Sequence, residues 1–198
     1  MKTASAADVI ARIIRIVLIP PVLVTIFIIL LYNSHREFFV YPESLAVSIL
    51  TLGIVPVLAY AVWGIVPKFR QGGRDLQRKL AFVFTFIGYL AALLYGLIRG
   101  VPAELQLVFN AYFISAVVLA VINYVFKIKA SGHSCSVTGP LVLCVYFLGF
   151  WTILPCLAVE GLCFWASLRT RRHTIPQLLL GMLTALCAFG ISWLISIL

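Results

Sequence analysis

The stretch VTGPLVLCVYFLGFWTILPCLAVEGLCFWASL, residues Val137–Leu168, decides the fold. Its single charged residue is Glu160. As one helix it would run about 48 Å at 1.5 Å per residue. The hydrocarbon core of a bilayer is about 30 Å thick. Gly149, Trp151, Thr152 and Pro155 cluster in its middle. Two short helices joined by a tight turn near Ile153–Pro155 therefore fit better than one.

Around this stretch lie further runs with no Asp, Glu, Lys or Arg: Ile16–Tyr32, Ser44–Pro67, Leu80–Ile98, Leu105–Phe126 and Thr174–Leu198. Each approaches the roughly 20 apolar residues of a spanning helix. The whole chain of 198 residues is 63% hydrophobic and 11% charged, against roughly 25% charged in soluble domains. A soluble fold is excluded. The expectation is an all-α polytopic transmembrane bundle of about seven spans, or six if Val137–Leu168 is one helix. Residues 1–198 form one integral membrane domain. Ile16–Tyr32 is long for a secretory signal and no small-residue cleavage site follows it, so it reads as a retained first span. Cys144, Cys156, Cys163 and Cys187 fall within apolar runs, where cysteine behaves as a small hydrophobe. Cys135 falls in a polar loop, and no spacing marks a metal site.

The net charge of +9 would suit nucleic acid in a soluble protein. Here the basic residues sit in short loops between spans, so no nucleic-acid partner is expected and the positive-inside rule applies. With the hairpin in place, 13 Lys and Arg fall on one side, from Lys2 to Arg172, and only Arg36 and Arg99 on the other. The first side is expected to be cytoplasmic, with the N-terminus. A single long helix would carry Arg169, Arg171 and Arg172 across and weaken that bias. The charge pattern thus supports the hairpin independently.

Two loops on the basic side carry chemistry: Lys127-Ile-Lys129-Ala-Ser131-Gly132-His133-Ser134 and Ser167-Leu-Arg169-Thr-Arg171-Arg172-His173-Thr174. Each leads into a helix N-terminus, where free N–H groups favour anions. Ser134 or Ser136 is expected to cap a helix starting near Val137. Thr174 is expected to cap the last one, with Pro176 in its first turn. Basic loops beside a membrane ordinarily set topology or contact anionic headgroups. Two histidines in converging cationic loops point instead to phosphate chemistry. Gly132 permits close backbone approach to an anion. Glu160 lies within the membrane, where an ionisable group is costly, and is expected to pair with a neighbour. Asn110 and Asn123 are expected to bond between helices.

Ser131-Gly132-His133-Ser134 resembles the second signature, Pro-Ser-Gly-His, of the type 2 phosphatidic acid phosphatase family, the lipid phosphate phosphatases. Ala130 stands in place of the proline. Arg172-His173 with Gln177 and Gly181 resembles the second half of the third signature, Ser-Arg-x5-His-x3-Asp. The resemblance spans residues 127–181. It implies a helical membrane bundle with the signatures at one face and hydrolysis of a phosphate or diphosphate ester without metal or other cofactor. It implies His173 as the nucleophile, through a phosphohistidine, and His133 as the acid for the leaving group. It implies Ser131, Gly132, Lys127, Lys129, Arg169, Arg171 and Arg172 as phosphate-binding groups.

The chain departs from the family pattern at three places. Gln177 replaces the aspartate that orients the nucleophile. It can hold the imidazole tautomer but cannot stabilise imidazolium by charge. Ser167 replaces the arginine six residues before the histidine. The first signature, Lys-x6-Arg-Pro, is not recognisable, and Lys127 and Lys129 are its nearest replacements. The expected substrate is a lipid phosphate or prenyl diphosphate reached from the inner leaflet of a bacterial or archaeal cell membrane. The degraded signatures also admit a non-catalytic lipid-phosphate binder or carrier on the same scaffold.

Overall fold

The computed structural model describes residues 5–198, with the side chains of Arg70, Arg74 and Asp75 left aside. Lys2, counted above on the basic side, lies outside the described residues. The chain is an all-α integral membrane bundle. Its helices are α1 (Ala6–Val17), α2 (Pro20–Ser34), α3 (Ser44–Ile65), α4 (Gly73–Arg99), α5 (Ala103–Val125), α6 (Gly132–Leu148), α7 (Ile153–Arg169) and α8 (Ile175–Ile197). A short helical turn, Pro67–Gln71, links α3 to α4. Five of the helices are long and apolar enough to cross a membrane, and α1 with α2 makes six if that bent pair is one span. Helix α6, with 17 residues, is apolar but shorter. Large apolar side chains such as Leu58, Ile87, Leu154 and Leu194 point outward, as lipid-facing residues do.

The first span differs from the expectation. Ile16 and Val17 belong to α1, and the chain bends by 51° before α2. Pro20 and Pro21 supply no backbone N–H, so they are tolerated only in the first turn of a new helix. Helix α1 is amphipathic. Asp8, Arg12 and Arg15, spaced i, i+4 and i+7, share one face. Val9, Ile10, Ile13, Ile16 and Val17 lie exposed on the other. Ser5 and Asp8 form a capping box at its start, with Asp8 Oδ2 accepting from Ser5 N–H at 3.1 Å.

The expected hairpin is present, with its turn a few residues earlier than predicted. Helix α6 ends at Gly149, whose φ of 97° only glycine adopts readily. A 3-10 turn over Phe150–Thr152 follows, closed by the Thr152 hydroxyl donating to Gly149 O at 2.8 Å. Pro155 does not break the chain because it falls in the first turn of α7.

Helix α8 packs against both α5 and α6. Gly181, Ala185, Ala188 and Ser192 form its buried stripe. Small residues at this spacing let backbones approach closely, which is how helices associate in lipid. A Cβ at Gly181 would collide with Ser131 O and lie 3.1 Å from Ser134 Cβ. Behind this seam, Phe27, Ile28 and Leu31 of α2 pack with Leu52, Leu105, Phe109 and Leu143.

The two asparagines bond differently from the expectation. Asn110 accepts from Gln106 one turn earlier in its own helix, at 2.8 Å. Asn123 donates to Leu119 O in α5 and accepts the Ala130 N–H of the following loop at 3.2 Å. A donor and an acceptor already lay within reach along the chain, so neither amide reaches across to another helix. Cys135, expected in a polar loop, is buried in the first turn of α6.

Candidate active site

Helix α6 begins at Gly132, earlier than the predicted Val137, and Ser131 is its cap. The Ser131 hydroxyl accepts from Ser134 N–H at 3.2 Å. Such caps contribute about 1 kcal/mol. Capping at Ser131 rather than at Ser134 or Ser136 puts His133 in the helix's first turn, ahead of the apolar run that starts at Val137. The Ser131 N–H donates to Gln177 O at 2.9 Å, and the Ser134 hydroxyl to Leu178 O at 2.8 Å. These two bonds, with the Gly181 contact, join the start of α6 to the start of α8. They bring the His133 and His173 segments together. A Cβ at Gly132 would meet only Leu119 Cδ2, at 3.4 Å.

The second segment is shaped by the end of α7. Arg172 N–H donates to Ser167 O at 3.1 Å and Arg171 N–H to Leu168 O at 2.9 Å. This pattern closes the helix with Arg171 in the left-handed region, at φ 50°. Thr174 then starts α8, with Pro176 in the first turn as expected.

Gln177 holds His173. Its Oε1 lies 3.3 Å from His173 Nδ1 and accepts from Thr174 N–H, also at 3.3 Å. A backbone N–H can only donate, so the Gln177 atom facing it is the carbonyl oxygen. His173 Nδ1 must then carry the proton, and the lone pair sits on Nε2. Burial, opposed by the Gln177 bond and reinforced by the charges of Arg15, Lys129 and Arg78, holds His173 below the usual imidazole range. It is neutral at pH 7.

His133 Nε2 is buried and unpartnered. Burial first, then the charges of Arg15 and His173, push this imidazole down to about 4. The two histidines therefore sense each other, and Arg15 senses both. Arg15 Nη1 donates to Thr170 Oγ1 at 2.9 Å, which anchors the guanidinium at the end of α7.

The other predicted residues divide. Lys129 acts on His173. Lys127 is exposed in the left-handed region, at φ 55°, and is not among the cations that act on either histidine. Arg169 is tied to α1 through Asp8 at 2.8 Å and Ser5 at 3.1 Å. Arg171 and Arg172 line an open cavity with α1. Ser167, at the family's arginine position, is fully buried with an unpartnered hydroxyl. Glu160 accepts from Thr138 Oγ1 at 3.1 Å, and its second oxygen is unpartnered.

Sequence reasoning treated Arg15 and Arg78 only as topology signals. For Arg15 a better signal existed: Asp8, Arg12 and Arg15 mark one polar face in an otherwise apolar helix. Arg78 had no such mark. Its charge acts on His173 from near the start of α4. Among the described residues, no three His, Cys, Asp or Glu side chains gather as metal ligands would. Comparison of the chain with family models, curated proteins and solved structures finds no match to any of them.

Proposed function

We propose that the chain is a membrane-embedded phosphatase of the type 2 phosphatidic acid phosphatase kind. It hydrolyses a lipid phosphate or prenyl diphosphate through a phosphohistidine. The observation that carries the reading is the Gln177 clamp, which leaves the lone pair of His173 on Nε2, while the Ser131–Gln177 and Ser134–Leu178 bonds join its segment to that of His133, whose Nε2 is unpartnered. A nucleophile, an acid and fixed positive charge are the parts an in-line displacement needs.

The reaction balances as follows. His173 Nε2 attacks phosphorus as the bond to the lipid oxygen breaks, and that oxygen takes a proton from His133. Water then attacks the phosphohistidine and yields its proton to His133, releasing inorganic phosphate and neutral His173. Pushed down to about 4, His133 is neutral at pH 7, so its proton arrives with the substrate. A monoanionic phosphate ester carries one, and its negative charge favours imidazolium. Arg15, Lys129 and Arg78 supply the surrounding charge. In this reading the site and the N-terminus face the cytoplasm of a bacterial or archaeal cell, and the substrate comes from the inner leaflet.

The test is phosphate release by purified protein from a panel of lipid phosphates and prenyl diphosphates, without added metal. Turnover on at least one substrate, lost in His173→Ala, is expected. Full activity in folded His173→Ala would sink the mechanism. Phosphate binding without any turnover would favour the carrier reading, for which Ser167 and Gln177 at signature positions are the supporting observation.

A further inference from the structure

The polar face of α1 closes one side of an open cavity of about 670 Å³. Asp8, Arg12 and Arg15 line it from α1, and Arg169, Arg171 and Arg172 from the α7–α8 turn. Neither histidine lines it. Asp8 is committed to Arg169 at 2.8 Å, which leaves four arginines facing the cavity without an acid among its lining residues. Like charges held together repel. Of these four, Arg15 is pinned by Thr170, and the Asp8–Arg169 and Ser5–Arg169 bonds hold α1 against the end of α7.

The outer face of α1 is apolar and exposed, from Val9 to Val17. A helix with that division lies in the membrane interface. The cavity is therefore walled from lipid by a helix whose inner face is basic. Arg15 belongs to both places, because it lines the cavity and its charge also reaches His133 and His173.

The geometry points to a second phosphate-binding site in this cavity, with Arg12, Arg15, Arg171 and Arg172 as ligands, beside the histidine pair. Arginine forks suit phosphate oxygens, and each charged hydrogen bond is strong. Resting on the reading of the histidines as a phosphoryl-transfer site, the inference narrows the substrate class. The lipid carries two linked phosphorus groups. One is attacked by His173 and the other is held across Arg15 by α1. A lipid monophosphate leaves the cavity unfilled.

The test measures binding, so it stands apart from turnover. Protein in phosphatidylcholine nanodiscs is titrated calorimetrically with inorganic pyrophosphate and with orthophosphate. The wild type should bind pyrophosphate about tenfold more tightly or better, the value of one charged hydrogen bond. In Arg12→Gln the ratio of the two affinities should collapse to about twofold or less, and Arg12→Lys should restore part of it. Equal affinities in the wild type, or a preference untouched by Arg12→Gln, would overturn the inference. So would loss of the wild-type preference when phosphatidylglycerol is added to the nanodiscs, since a resident headgroup would then occupy the arginines. Pyrophosphate preference with no phosphate release would preserve the site and refute the enzyme.

Discussion

The two ends of the bundle treat charge in opposite ways. At the end holding the α2–α3 and α4–α5 connections, Arg99, Glu43 and Glu37 have partners, and Glu104 stands exposed. Arg99 pairs with Glu43 at 2.7 Å and lies over the Tyr41 ring at 4.2 Å, while Tyr41 Oη donates to Arg99 O at 2.6 Å. His35 stacks on Phe38 and uses both ring nitrogens, on Glu37 and on Phe147 O, each at 3.1 Å. At the other end, the charge of Arg15 acts on both histidines and those of Lys129 and Arg78 on His173, and His133 Nε2 and Ser167 Oγ lack partners. Among the described side chains there, Asp8 is the acid, and Arg169 already holds it. One end is neutralised from within. The other holds more cations than the acids among its described side chains can match. Unpartnered buried polar atoms occur at both ends, Gln106 Oε1 at the first and His133 Nε2 and Ser167 Oγ at the second, so it is the balance of charge that separates them.

The comparison can be broken most sharply at Gln177. Removing its carbonyl in Gln177→Ala frees the His173 tautomer. Phosphate release should fall about tenfold to a hundredfold, the worth of one buried hydrogen bond to a reacting group. Stability should fall by only about 1 kcal/mol, the worth of the bond to Thr174 N–H that Gln177 also supplies. Equal activity in the two proteins would mean that Gln177 is only a helix cap.

A smaller effect should follow at Arg15. Its charge helps hold both imidazoles down. Arg15→Gln should raise the titration points of His133 and His173 in an NMR titration, because removing a cation favours imidazolium. The sign carries over to stability. His133 is depressed from about 6.5 unfolded to about 4 folded. Its contribution is complete above the unfolded value and is lost as pH falls through the folded one. Arg15→Gln should narrow that window from below. Unmoved titration points would place Arg15 away from the pair.

The smallest effect belongs to the neutralised end. Arg99 and Glu43 are each nearly half exposed, so Arg99→Gln should cost about 1 kcal/mol or less. Thermal unfolding checks the cost. Phosphate release should match the wild type, and a large loss of activity would erase the contrast between the ends.

Much of this was readable before the fold was known. The length of Val137–Leu168 against the bilayer, with the charge count, called for a hairpin, and the hairpin puts the His133 and His173 loops on one face. The turn lies earlier than Ile153–Pro155 because proline is tolerated in the first turn of a helix and the left-handed backbone falls at Gly149. Helix α6 starts earlier than Val137 because a capping serine can stand several residues before the apolar run it serves. Arg15 was hidden for a different reason. Its place beside the histidines depends on a 51° bend between α1 and α2 and on the Thr170 contact. Neither is a local property of the sequence around it. Lys127 and Lys129 show the limit of spacing: two residues apart, the charge of Lys129 acts on His173 and that of Lys127 does not.

The most direct measurement is a rapid-quench labelling experiment with a 32P-labelled lipid phosphate. The account predicts an acid-labile, base-stable phosphoryl label on His173, absent in His173→Ala and retained in His35→Gln at the neutralised end. No histidine-bound label during active turnover, or a label that survives in His173→Ala, would contradict it.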